Sequence, residues 1–303
     1  MKFSIWPNPE RPPAEVLDLA RMADTEGWHC LWYADHYMPN SGGEDPLPGD
    51  IHECWAMLPA IAAVTERLRI GSLVAPTSVH HPAVIANRAA TIDRISNGRL
   101  VLGIGAGWQI NEHRAYGIDL EEPATRVSRF EEAIQVIRSL LNEDRTDFHG
   151  DFYDITDAPA NPKPVQAPLP ILVGTRSPRM LRITARHADE WNTWGAPDMA
   201  GGALTKLLTA CHQVERDPAT LRKSAQALVF MSDDAELAAN VKAGNTGERS
   251  IVGSTDQLVD EIGRYVELGF DELIIPDFTL GGTAEERLAN YRQFRAEVAV
   301  HFV

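Results

Sequence analysis

Short apolar runs rich in β-branched and aromatic residues alternate with amphipathic runs from one end of the chain to the other. This is the pattern of successive βα units around a parallel sheet. Eight such runs occur: Lys2–Trp6, His29–Tyr33, Arg69–Val74, Leu100–Ile104, Ile171–Val173, Glu190–Thr193, Ala227–Met231 and Glu272–Pro276. Each is followed by a helical stretch. After the first, Val16, Leu19, Ala20 and Ala23 share one stripe and Gly27 stops the helix. Near the other end, the spacing predicts a helix over Gln257–Leu268 with Leu258, Ile262, Tyr265 and Val266 turned inward, Gly269 as its stop, and FDELIIP as the last strand.

A doubly wound open sheet would also alternate β and α elements. The length of 303 residues and the regular eightfold repeat favour a single (β/α)8 TIM barrel, one domain spanning residues 1–303. Two connections are long, one roughly over residues 105–170 and one roughly from Ser232 to Thr255. Insertions after barrel strands usually wall the active site. The first holds an amphipathic run, Arg126–Leu141, and a predicted hairpin around HGDFYDI.

Composition narrows the function classes. The formal net charge of −15 argues against a nucleic-acid or anionic-membrane surface, so an anionic ligand needs a local basic patch. Cys30, Cys54 and Cys211 lack paired spacing and read as reduced core thiols, not as a disulfide framework or zinc site. The N-terminal stretch has no apolar signal-peptide core and no run is long enough to span a bilayer, so a cytoplasmic protein is expected.

Candidate chemistry gathers where strands give way to loops. WYADHYMP sets Asp35 and His36 just past the second strand; an imidazole exchanges protons near neutral pH and a carboxylate can orient polar edges of a cofactor. The alternative is a turn-capping Asp35 and a surface His36. His80-His81 has no further ligand at metal-site spacing and reads as wall or solvent-facing, so no metal is expected. Gly103, Gly105 and Gly107 would let backbone approach a flat ligand. They are not a dinucleotide fingerprint, because position 108 is Trp and the motif follows the fourth strand.

Gly174-Thr175-Arg176-Ser177 before Pro178 predicts a helix N-terminus able to hold phosphate, in a local field from Arg176, Arg179 and Arg182; a plain Ser-Pro helix start is the alternative. Trp6, Trp108 and Trp194 fall at strand ends and are the candidate substrate pocket. No GxSxG, HExxH or Walker motif is present.

Together, WYADH, LVAPTSVHHPAVIANRAATIDRISNGRLVLGIGAGW, NEHRAYG, PLPILVGTRSP, ADEWN and VGSTDQLVDEI resemble the luciferase-like monooxygenase superfamily, within it the actinobacterial branch using the deazaflavin coenzyme F420. The resemblance implies a ring across the strand ends. Asp35 would meet its polar edge, His36 its reactive face, and a non-prolyl cis peptide at Ser72-Leu73 would back it. Ala106, Gly107 and Asn111 would line the ring or its side-chain path. Arg176 and Ser177 would bind its phosphate, with Arg179 and Met180 nearby.

One departure bears on substrate. Deazaflavin-dependent sugar-phosphate dehydrogenases of the superfamily place a Glu after the fourth-strand glycines, where this chain has Trp108. A more apolar pocket is expected, with His36 working without a second protein acid or base. The expected activity is hydride transfer between F420 and an organic substrate. The alternatives are an FMN-dependent monooxygenase and, less favoured, a non-catalytic cofactor-binding barrel. The resemblance also implies a homodimer.

Overall fold

A computed structural model describes residues 1–302. Eight parallel strands close on themselves: β1 (Lys2–Trp6), β2 (Cys30–Tyr33), β3 (Arg69–Ser72), β4 (Leu100–Gly105), β5 (Ile171–Gly174), β6 (Glu190–Trp194), β7 (Arg222–Gln226) and β8 (Glu272–Pro276). β8 pairs with β1 over five residues, and β3 pairs with β4, which completes the circuit. The fold is the expected (β/α)8 barrel.

Among the described residues ten helices surround or cap it: α1 (Pro13–Thr25), α2 (Cys54–Ala63), α3 (Pro82–Ser96), α4 (Ile110–Ala115), α5 (Pro123–Asn142), α6 (Pro178–His187), α7 (Pro197–Gln213), α8 (Ala235–Ala243), α9 (Thr255–Leu268) and α10 (Ala284–Glu297). Outward strand residues such as Ile5, Leu31, Ile70 and Ile171 pack with helix stripes such as Val16, Leu19 and Ala20 in one large core. A second, smaller cluster fills the barrel itself: Trp6, Cys30, Trp32, Ala34, Leu73, Val101, Leu172 and Ile274.

The seventh strand differs from the sequence expectation. Ala227–Met231 is more apolar, but Arg222–Gln226 occupies the barrel position, paired with β6 and β8. Its residues Arg222, Ser224 and Gln226 are polar in a strand of five, which hides it from a hydrophobicity reading. Leu228–Met231 instead pairs with Ser250–Gly253 as a separate two-stranded parallel ladder outside the barrel. α9 turns Leu258, Ile262 and Tyr265 inward as expected, whereas Val266 is 44% exposed. The predicted hairpin forms between Thr146–His149 and Asp154–Ala158, and the three cysteines are free and buried.

The N-terminal end of the barrel is plugged by charge. Arg69 donates to Glu190 at 2.6 Å, Arg222 to Glu272 at 3.4 Å, and the Trp32 indole to Glu272 at 2.8 Å. His29 Nε2 accepts from Arg222 and Arg69, so its ring is neutral there. Burial, with both arginines adding to it against the pull of Glu272, pushes His29 down to about 4. This end of a barrel serves stability, and the site belongs at the other. No helix among the described residues is long and apolar enough to cross a membrane.

Candidate active site

Asp35 lies two residues past the end of β2, with no exposed surface. Its Oδ2 accepts from the Trp55 indole at 2.9 Å and from His80 Nε2 at 2.8 Å. A guanidinium only donates, so Arg88 at 3.3 Å from His80 Nδ1 leaves the His80 proton on Nε2, directed at Asp35. The Tyr37 hydroxyl lies 3.2 Å from the same nitrogen, and burial, then the Asp35 charge, raises its pKa and keeps it a neutral phenol. Asp35 Oδ1 is buried and has no partner. His80 is therefore neither a solvent-facing nor a wall residue; it holds Asp35. His81 caps α3 by accepting from the Ala83 amide.

His36 stands beside this network and keeps 23% of its side-chain surface open. Its Nδ1 lies 3.0 Å from Glu112 Oε1, while Glu112 Oε2 accepts from the Tyr37 amide at 2.9 Å. Glu112 is almost wholly buried. The expectation that His36 lacks a carboxylate partner is thus corrected: α4 supplies one, four residues beyond Trp108. Trp108 itself is 57% exposed and meets the His36 ring edge-on at 5.6 Å.

The Gln109–Tyr116 segment is stitched along the loop after β2. Gln109 Nε2 donates to Met38 O at 2.9 Å, Asn111 Nδ2 to Pro39 O at 2.9 Å, and the Tyr116 hydroxyl to Tyr37 O at 3.2 Å. Asn111 Oδ1 is a second buried acceptor without a donor.

After β3 the chain bulges. Ser72 Oγ donates to Gly103 O at 2.7 Å and accepts from Gly103 N at 3.1 Å, and the Leu73 amide donates to Tyr33 O at 2.8 Å. The non-prolyl cis bond is Leu73-Val74, one residue later than Ser72-Leu73. The glycines also differ in purpose from the expectation. A Cβ at Gly103 would sit 1.9 Å from Ser72 O, one at Gly105 2.9 Å from Val74 Cγ2, and one at Gly107, where φ is +94°, 2.0 Å from Ser78 Oγ. They make room for the bulge and its neighbours. Ala106 between them is half-buried.

Gly174 and Thr175 are half-buried and Arg176 and Ser177 exposed at the start of α6. Ser177 caps that helix without a side-chain bond, and its amide donates to Thr175 Oγ1 at 3.3 Å. Arg176 and Ser177 line a cavity of about 530 Å³ with Asp198 and Lys206. The side chains of Arg179 and Met180 point elsewhere. Arg179 donates to Ala124 O at 3.1 Å and Ser128 Oγ at 2.9 Å, and Met180 is core. Only their backbone amides, in the first turn of α6, remain for an anion.

Trp6 and Trp194 meet across the barrel mouth at 5.4 Å, with Phe278 on Trp6 at 5.1 Å. Trp108 is not part of this trio. Sequence reasoning missed Trp55, His80, Glu112 and Phe278 as site residues. Glu112 lay within the NEHRAYG motif, and that was its only signal. Among the described residues no group of three or more His, Cys, Asp or Glu is set to hold a metal.

The polar groups left without partners here are of the kind that would suit a ligand carrying N–H donors and a phosphate. Asp35 Oδ1 and Asn111 Oδ1 are buried acceptors in want of donors, and α6 offers amides with Arg176 beside them. Residues 1–245 match the family profile described as luciferase-like monooxygenase, and the chain belongs to that family. Its relatives include an F420-dependent glucose-6-phosphate dehydrogenase of Microbacterium testaceum, 31% identical with 88% of each chain covered. Another of that description, from Amycolatopsis mediterranei, is 35% identical over 58% of this chain and 52% of its own, about half its length. Among solved structures, monooxygenase RslO1 from Streptomyces bottropensis superposes with a TM-score of 0.83, at 23% identity and full coverage of both chains. An F420-dependent secondary alcohol dehydrogenase in complex with an F420-acetone adduct gives 0.81, at 18% identity and 99% coverage of both.

Proposed function

We propose that this protein is an F420-dependent oxidoreductase acting on an uncharged, largely apolar organic substrate. The observation that carries the reading is the pair at the end of β2: a buried carboxylate with one oxygen unpartnered, next to an imidazole braced by a buried glutamate. The relatives named as F420-dependent support deazaflavin over flavin mononucleotide, since one of them aligns over 88% of both chains.

When bound, the deazaflavin would supply hydride transfer. The chain's own residues would do the rest. Asp35 Oδ1 and Asn111 Oδ1 would accept from the ring's polar edge. Arg176, Ser177 and the first-turn amides of α6 would take the phosphate. His36 would hold or release a proton at Nε2 beside the reacting face. Trp6, Trp194, Trp108 and Phe278 would exclude water and favour an apolar partner.

Two features favour a neutral substrate over a phosphorylated one. Trp108 stands where an acid would serve a sugar, and the other guanidinium groups near the mouth are engaged, Arg11 with Asp277 at 3.2 Å and Arg88 with His80. Titrating the protein with F420 and with flavin mononucleotide, followed by tryptophan fluorescence, tests the cofactor. Tight binding of the flavin alone would replace this reading with a monooxygenase on the same scaffold. Turnover with a panel of neutral alcohols and ketones against glucose 6-phosphate tests the substrate; a preference for the phosphate ester would overturn the second part. Tight binding of F420 with no turnover on any substrate would leave a carrier.

A further inference from the structure

The Glu112 carboxylate meets two groups of different character. The Tyr37 amide, 2.9 Å from Oε2, can only donate; His36 Nδ1, 3.0 Å from Oε1, can donate or accept according to its tautomer. Glu112 is 1% exposed, so no water competes for its oxygens. Among the described residues His36 Nε2 makes no hydrogen bond, and the Trp108 ring that meets it edge-on offers it no acceptor.

We infer that Glu112 is a positioning residue for the proton chemistry of His36. As a carboxylate it accepts at both oxygens, which places the His36 proton on Nδ1 and leaves the Nε2 lone pair toward the mouth. The neutral ring is then ready to take a proton at Nε2, and the imidazolium formed is balanced by the adjacent negative charge. The proton moves between Nε2 and the substrate, while the one on Nδ1 stays with Glu112. This rests on the reading of His36 as the proton-handling group, and it specifies which nitrogen acts and what keeps it so.

The geometry makes Glu112→Gln an unusually sharp test. The Tyr37 amide still needs an acceptor, so the oxygen of the introduced carboxamide must turn to it and the NH2 must face His36. His36 Nδ1 is then forced to accept, and its proton moves to Nε2. The substitution keeps shape and hydrogen bonds and inverts the tautomer.

The full-length protein, labelled with 15N-histidine, is observed by two-bond nitrogen–proton correlation at about pH 9, above the ordinary histidine range. His36 signals are identified by their absence in His36→Gln. The wild type is expected to show a protonated Nδ1 and an unprotonated Nε2, and Glu112→Gln the reverse. In turnover, kcat of Glu112→Gln should fall by about tenfold or more, with KM within about twofold.

An unprotonated Nδ1 in the wild type would mean that Glu112 carries the proton, and would overturn the inference whether or not the variant folds. An inverted tautomer with unchanged kcat would overturn the positioning role. The tautomer is read without cofactor, so a failure of F420 to bind leaves this result standing and its own failure leaves the cofactor assignment standing.

Discussion

Replacing Asp35 by Asn probes the carboxylate at the point where the structure makes its two oxygens unequal. Oδ2 accepts from Trp55 Nε1 and from His80 Nε2, both fixed donors, the second because Arg88 occupies Nδ1. An asparagine must therefore put its carbonyl oxygen in the Oδ2 place, and its NH2 lands where the unpartnered Oδ1 was. Both internal bonds survive, so unfolding stability should change by no more than about 1 kcal/mol, the charge on one hydrogen-bond acceptor being what is lost. Toward a ligand the change is larger. A donor replaces an acceptor, and a hydrogen bond to a charged group is worth about 1.5–3 kcal/mol. That loss corresponds to F420 binding weakened by roughly 10- to 150-fold. Fluorescence titration gives the dissociation constant and urea unfolding the stability. An unchanged dissociation constant with intact folding would remove Asp35 from the cofactor edge, and a loss of several kcal/mol in stability would refute the assignment of donors to Oδ2.

The glycines along β4 separate by what their missing Cβ would strike. Gly103→Ala meets the Ser72 carbonyl at 1.9 Å and should destabilise by about 3 kcal/mol or more. Gly105→Ala meets the Val74 side chain at 2.9 Å, should destabilise by about 1 kcal/mol, and alone should be relieved by Val74→Ala in a double-mutant cycle. Arg176→Ala should weaken F420 binding by about tenfold or more with stability unchanged, and Arg179→Ala should do the opposite, losing up to about 1 kcal/mol of stability while binding normally. His29 is held down to about 4 in the fold against 6.5 when unfolded, so its stabilisation is complete above pH 6.5 and is lost as the pH falls toward 4. Up to about 3 kcal/mol disappears over that window. Glu190 and Asp277, both raised by burial, pull the other way. Urea unfolding of the wild type and His29→Gln between those pH values should show the steeper acid loss in the wild type, and parallel curves would count against the neutral His29.

The alternation of β-rich and amphipathic runs, with the chain length and the eightfold repeat, pointed to a barrel because the other seven strands are apolar on the helix-facing side and several of them on the barrel side as well. The seventh in order did not announce itself. RKSAQ carries polar side chains at four of its five positions, and the apolar LVFM that follows drew the assignment past it. Asp35 and His36 were legible as chemistry because a polar pair stood at a strand end. Their partners were not. His80 lies 45 residues from Asp35 and Glu112 76 from His36, and no helical or strand period connects such separations. The same holds for Arg179, whose charge suggested an anion site while its contacts, 48 to 55 residues back on α5, hold the side chain in place.

The seam between the loop after β2 and the Gln109–Tyr116 segment has a consequence for how such a scaffold can be modified. Met38, Pro39 and Tyr37 each offer a backbone carbonyl to that segment, and Glu112 answers with its acceptor for the Tyr37 amide. Backbone geometry on one side is thereby matched to side-chain identity on the other. The two stretches behave as one exchangeable cassette: a graft that imports residues 36–44 from a relative without its counterpart of 108–116 breaks the register of all four bonds, and new specificity on this barrel is best sought by moving both together.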